Sequence, residues 1–208
     1  MKLGVVITIW LAGGLFARDL ARIPATSQEV TDELTGVKVT VRIDEFLMSP
    51  TEVTQREWTE VMGHNPSAYK GDERPVENVS WWEAIRYANL RSVREGLEPC
   101  YDLTTGECDL TRNGYRLPTD AEWAHAAALP EKFPDDIGKF ANLGNADTRD
   151  AGLLIKAIRE KGTMPVASFP PNRYGLYDMT GNVWEWCGDL FNPANTPQTA
   201  ANPAGASA

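Results

Sequence analysis

The stretch Arg173-Tyr-Gly-Leu-Tyr-Asp-Met-Thr-Gly-Asn-Val-Trp-Glu-Trp186 decides how this chain is read. Two tryptophans stand two residues apart behind a glycine turn, and a carboxylate closes each end. Strand spacing puts Trp184 and Trp186 on one face and Glu185 on the other. Gly181 lets the chain turn so that the carbonyls of Gly181 and Val183 can point inward. With Asp178 and Glu185 they form an oxygen-only donor set, which suits calcium rather than zinc. The other reading is a core tryptophan strand with a solvated glutamate.

Bulk properties bound the rest. A chain of 208 residues is long enough for one domain with a sizeable core. Its net charge of −9 and pI of about 4.8 argue against non-specific binding to nucleic acid. Seven tryptophans point to a core built on large aromatics with polar handles.

At the N-terminus, Lys2 precedes an apolar run from Leu3 to Ala17. A short basic start, an apolar stretch and a small terminal residue fit a secretory signal peptide over residues 1–17. An uncleaved anchor is the alternative, and only then would the chain be membrane-bound. Export to the periplasm or the extracellular space is the expectation. Residues 18–36 are polar and turn-rich and read as an exposed lead-in. The domain itself spans 37–192, and the Pro/Ala/Asn/Gly-rich tail, 193–208, reads as disordered.

Export permits disulfides. Cys100 and Cys108 flank Tyr101-Asp-Leu-Thr-Thr-Gly-Glu107, which reads as two short strands around a turn. A hairpin would bring the pair into bridging range, and closing so short a loop would contribute roughly 2–3 kcal/mol. Two separate buried thiols are the alternative. Cys187 is the odd thiol.

Along the domain, Val37 to Val41 alternates and predicts a half-buried strand, with Ile43 to Met48 continuing or repeating the pairing. Three helix starts carry a capping box: Thr54-Gln-Arg-Glu57, Ser80-Trp-Trp-Glu83 and Thr119-Asp-Ala-Glu122. The first helix should stop at Gly63, the second at Gly96 and the third before Pro130. Turn signals fill the gaps. The pattern is an α+β domain with much irregular structure. His64 and His125 sit on different elements and read as surface or half-buried residues rather than catalytic ones. No Gly-x-Ser-x-Gly, phosphate-binding loop, Cys-x-x-Cys or zinc spacing is present.

Several blocks resemble the formylglycine-generating enzyme, or sulfatase-modifying factor, family: Glu52-Val-Thr-Gln-Arg-Glu-Trp58, Val61-Met-Gly-His-Asn-Pro-Ser67, Arg74-Pro-Val-Glu-Asn-Val-Ser-Trp81, Gly114-Tyr-Arg-Leu-Pro-Thr-Asp-Ala-Glu-Trp123, Pro165-Val-Ala-Ser-Phe-Pro-Pro-Asn172 and Tyr174 to Trp186. They follow the family's order from about residue 50 to 190. The resemblance implies an elaborated C-type-lectin-like fold with little regular secondary structure. It also implies a structural calcium on Asp178, Gly181, Val183 and Glu185. A second calcium would match Asn142 and the carbonyl of Leu143, with Asp150 as a candidate further ligand.

The family's enzyme oxidises a cysteine of a client sulfatase to formylglycine, using oxygen and a copper ion held by two cysteines. Those cysteines follow the tryptophan segment and an Arg-Gly-Gly-Ser-Trp block. This sequence has neither the block nor a cysteine after Cys187, so no catalytic residue carries over and the copper ligands are missing. The resemblance then supports three functions. The first is a calcium-stabilised exported domain that is not catalytically competent alone. The second is a formylglycine-generating oxidoreductase completed by another chain. The third is a binding module of the same fold, for a sulfatase or another protein client.

Overall fold

The computed structural model describes residues 3–4, 8–9, 20–31, 38–128, 162–189 and 200–201. Among the described residues, short strands and three helices are joined by irregular segments. In chain order the strands are β1 (Leu3–Gly4), β2 (Thr8–Ile9), β3 (Ala21–Ile23), β4 (Thr26–Thr31), β5 (Lys38–Ile43) and β6 (Phe46–Met48). After the first two helices comes β7 (Tyr115–Arg116), and after the third come β8 (Trp184–Glu185) and β9 (Ala200–Ala201). One sheet has the order β3-β6-β2-β7, its pairs all antiparallel. A second runs β4-β5-β9, and β1 pairs in parallel with β8.

All three capping boxes are formed. Helices α1 (Gln55–Met62), α2 (Trp81–Arg94) and α3 (Asp120–Ala127) each show the hydroxyl accepting from the N3 amide and the N3 carboxylate reaching back. Gly63 caps α1 at φ +77°. The second helix ends on Glu95, with left-handed Gly96 just beyond it. Ala128 ends α3.

Two hydrophobic clusters lie against these elements. Val53, Trp58, Ile85, Tyr87 and Leu117 anchor the first, in which Trp58 and Tyr87 stack with ring centres 5.0 Å apart. The second gathers Ile23, Ile43, Phe46, Met48 and Leu176. Burying aromatics of this size is the main stabilising contribution, and each contact adds dispersion that water cannot match.

The structure adds detail at three places. The stretch expected as an exposed lead-in, 18–36, contains β3 and β4, and Ile23 is fully buried. Leu20, Ala21 and Ile23 form an apolar run too short to mark a strand by period. Two pieces of the apolar run read as an export segment are strands, β2 lying between β6 and β7. The hairpin at Cys100–Cys108 is a single bridge, Tyr101 to Cys108, rather than two strands. From the tail 193–208, only Ala200–Ala201 is described, as a strand beside Val41 and Arg42.

Candidate functional site

Glu52 sits in the loop before α1, and that loop is tied to the tryptophan segment. The Tyr177 amide donates to the Pro50 carbonyl at 2.8 Å. This bond sets Glu52 beside the turn that carries Asp178. The turn is tight: Asp178, Gly181 and Asn182 all have positive φ, at 56°, 93° and 59°. Glycine meets that demand freely, and Asp and Asn meet it better than other residues do. Asn182 is fully buried and accepts from the Met164 amide at 2.9 Å. Oδ2 of Asp178 accepts from the Ala167 amide at 2.7 Å.

Buried Glu52 and Asp178 and the desolvated carboxyl of half-buried Glu185 are thereby brought within electrostatic reach. Burial raises the Glu52 pKa well above the usual carboxylate range, and the charges on Asp178 and Glu185 raise it further. Burial pushes Glu185 up to about 7 against the pull of the Trp123 indole N–H, which donates to its Oε2. Burial also raises Asp178, while the Ala167 amide opposes the shift. Neither oxygen of Glu52 finds a hydrogen bond of ordinary geometry, and nor does Oε1 of Glu185. An unpaired buried carboxylate costs several kcal/mol unless it is protonated or neutralised by a cation.

Sequence reasoning placed Asp178, Gly181, Val183 and Glu185 on one turn, with the solvated glutamate as the alternative and the two tryptophans on one face. Glu185 is inward and desolvated, which removes the solvated-glutamate reading. Trp184 faces outward and is 50% exposed, whereas the Trp186 indole donates to the Val79 carbonyl at 3.1 Å. The two indoles therefore do not share one buried face. Gly181 lies in the turn and Val183 is buried beside it. Glu52 was missed as a site residue. The available signal was an acid, Glu52, in a matched block immediately before a helix cap. Asn142, Leu143 and Asp150, the second expected calcium site, lie outside the described residues. His64 and His125 hydrogen-bond to backbone carbonyls, those of Met62 and Pro24, and the His125 ring lies 5.7 Å from that of Tyr174.

A second feature lies where the hairpin, α2 and the end of the tryptophan segment meet. Asn89 on α2 clamps Tyr101 at both backbone atoms, at 2.7 and 3.0 Å. The Trp81 indole donates to the Cys187 carbonyl at 2.9 Å, and the Gly188 amide donates to the Pro118 carbonyl at 2.8 Å. Between these contacts opens a cavity of about 1050 Å³ with Trp81, Trp82, Tyr101 and Trp186 in its wall. Cys100, Cys108 and Cys187 all line it. The thiols of Cys100 and Cys108 stand close enough to influence each other's ionisation but are not bridged, and the Cys100 thiol donates to the Gly114 carbonyl at 3.3 Å. Their mutual influence holds Cys100 below the ordinary thiol pKa and raises Cys108. Burial and the acids Asp120 and Asp189 raise Cys187.

Beneath the cavity, Arg116 and Glu122 form a bidentate pair at 2.7 and 2.6 Å, with side chains 2% and 3% exposed. Glu122 therefore serves the α3 cap and a buried ion pair at once.

Compared with known proteins, residues 5–207 match the sulfatase-modifying factor enzyme 1-like domain. The chain belongs to the sulfatase-modifying factor family. "Chaperone protein LppX" of Paenibacillus barcinonensis is 36% identical over 187 residues, covering 76% of this chain and 67% of that protein. The formylglycine-generating enzyme of Mus musculus is 29% identical over 162 residues, covering 71% of this chain and 36% of the enzyme. The mouse protein named "Inactive C-alpha-formylglycine-generating enzyme 2" is 32% identical over 142 residues, covering 59% of this chain and 44% of that one. This family member thus spans about a third of the length of the mouse enzyme it matches. Among solved structures, Treponema denticola variable protein 1 superposes with a TM-score of 0.73 at 29% identity, covering 91% of this chain and 79% of the other. The elaborated fold expected from the sequence is the one these neighbours share.

Proposed function

We propose that this chain is an exported sulfatase-modifying-factor-type domain, stabilised by calcium, that does not complete the family's oxidation with these residues alone. One observation carries the calcium reading: the carboxyls of Glu52, Asp178 and Glu185 are desolvated beside one another, and no cationic side chain of the described residues is among the groups that influence them. Hard, oxygen-only donors of this kind fit calcium. Among the described residues no three His, Cys, Asp or Glu side chains converge as a metal centre. The reading therefore has Asp178 and Glu185 hold the ion with backbone carbonyls of the Gly181–Val183 turn and water, while Glu52 adds charge nearby. Bound calcium would supply structural cross-linking, not chemistry.

The copper-dependent oxidation of a client cysteine needs a pair of soft thiolates. The family's pair follows the tryptophan segment, and none of the three cysteines present follows Cys187. A second reading, a module that binds a protein client, is favoured by the likeness to a protein named as a chaperone. Its client would be a sulfatase or another secreted protein. Export rests on Lys2 and the apolar run, with one condition. Cleavage after Ala17 would remove β1 and β2, so the domain must either hold without them or keep the run.

Calorimetric titration with calcium tests the metal. Binding by the intact chain, weakened in Asp178→Asn and Glu185→Gln, is expected; no binding would end the reading. Incubation with copper, oxygen and a cysteine peptide of the sulfatase type should leave the peptide mass unchanged, and formylglycine would overturn the non-catalytic role. Recovery from the cytoplasm alone, with Met1 intact, would refute export.

A further inference from the structure

We propose that Cys100 and Cys108 form a thiol–disulfide exchange site that opens on the aromatic-walled cavity and reacts with low-mass disulfides. The geometry comes from the hairpin. Amide bonds from Asp102 to Glu107 and from Asp109 to Cys100, each 2.9 Å, frame it, and the Tyr101–Cys108 bridge sets its register. This places the two cysteines on facing arms of one short hairpin, both lining the same cavity. Asn89 and the Tyr101 hydroxyl, which accepts from the Leu117 amide at 3.0 Å, hold one arm to the core. Little ordering is therefore left to do when the bond closes, which favours intramolecular closure.

Accessibility separates the two roles. Cys100 is buried, and its thiol donates to the Gly114 carbonyl at 3.3 Å. Cys108 is only half-buried. Both line a cavity of about 1050 Å³, large enough to admit a small peptide disulfide. The buried guanidinium of Arg116 lies close enough to favour negative charge on both sulfurs, with Asp109 opposing it at Cys100. A dithiol on facing arms of one hairpin, with a cation beside it and an open approach, has the attributes of an exchange site rather than of inert core thiols.

The step balances without a metal. Cys108, the more accessible of the two, gives up its proton to solvent and attacks one sulfur of a disulfide of the glutathione class, forming a mixed disulfide and expelling one thiolate, which takes up a proton. The Cys100 sulfur, losing its proton to solvent, then attacks Cys108 Sγ. The protein disulfide forms and the second small thiol leaves. In all, the protein dithiol loses two hydrogens and the small disulfide becomes two thiols. Cys187 shares the cavity but not the hairpin, and takes no part.

The test uses the full chain, reduced and desalted, then exposed without oxygen to oxidised glutathione at mildly alkaline pH. Intact mass and peptide mapping should show the loss of two hydrogens, with Cys100 linked to Cys108. Cys187→Ser should behave identically. Cys100→Ser should stop at a mixed disulfide on Cys108. Cys108→Ser should react about tenfold more slowly, as expected for a buried thiol. The melting midpoint of the intact chain should rise on oxidation. Far-ultraviolet circular dichroism and tryptophan fluorescence check that the serine variants fold. The unmodified chain decides the matter whatever they do: failure to lose two hydrogens, or a link that includes Cys187, overturns the proposal.

Discussion

Removing calcium should destabilise this protein most where its site carboxylates are ionised, and the size of the effect follows from Glu185. Folding raises its pKa from 4.5 to about 7. That difference corresponds to about 3 kcal/mol. An acid with a raised pKa holds its proton more tightly in the folded state. Its contribution is therefore complete below 4.5 and is lost as pH climbs through about 7. Glu52 and Asp178 shift in the same direction and deepen the loss. A bound divalent cation removes this penalty by favouring the ionised forms. At a calcium concentration a hundred times the dissociation constant, mass action adds about 2.7 kcal/mol. For a chain of this length that is a melting shift of roughly 5–10 °C. Paired thermal melts, with calcium and with chelator, should be run near pH 8 and near pH 5. The gap between each pair should be widest at the higher pH and shrink as protons compete for the same oxygens. Effects of pH elsewhere in the molecule cancel within each pair. Equal midpoints near pH 8, or a wider gap near pH 5, would refute the electrostatic argument. In Glu185→Gln, the pH dependence of the gap should flatten.

Three further outcomes follow from packing and hydrogen bonding. Gly114→Ala should be strongly destabilising, by about 1–3 kcal/mol or more, because a Cβ there would lie 2.1 Å from the Glu98 carbonyl oxygen; a denaturation midpoint equal to that of the parent would contradict this. Arg116→Met should cost about 3–5 kcal/mol by stranding the buried Glu122 charge. The double change Arg116→Met with Glu122→Leu should recover much of that loss, and a double-mutant cycle in urea measures it. Thr54→Ala, which removes one arm of the α1 capping box, should cost about 1 kcal/mol by the same assay.

Helix starts were legible because a capping box places its signal within four consecutive residues, and all three were formed where the spacing put them. The carboxylate turn was legible for the same reason: Asp178, Gly181 and Glu185 are neighbours in sequence. What could not be read is the set of loops, whose order comes from single buried polar side chains. Gln55 donates to the Tyr69 and Pro75 carbonyls and accepts from Asn65 and Gly71. Glu77 accepts from the amides of Ala68 and Tyr69. Asn172 does similar work between the end of α3 and the turn at Tyr174. Each replaces a ladder of backbone bonds by one side chain, so no hydrophobic period marks it. Glu52 belongs with these residues: it lies more than a hundred positions from Asp178 and Glu185, and only the folded chain brings them together. The meeting of Cys187 with the Cys100–Cys108 hairpin was hidden for the same reason.

The carboxylate turn also sits where backbone strain collects. Ala167, Asp178 and Asn182 all adopt positive φ, at 57°, 56° and 59°. For alanine this costs on the order of 1 kcal/mol. The strained residues are linked to one another, since the Ala167 amide donates to Asp178 and Asn182 accepts from Met164 three residues before Ala167. Strain and buried like charge both oppose this local structure, and neither is offset by the two hydrogen bonds alone. A packed loop without a ligand would have little reason to keep the Glu52 and Glu185 carboxyls desolvated beside Asp178, because Gln in their place would lower both costs. Carboxylates held in such surroundings are understandable if a cation completes them. On that argument Glu52→Gln should stabilise the chelated protein while diminishing the gain from calcium, a reversal that a merely structural glutamate would not produce.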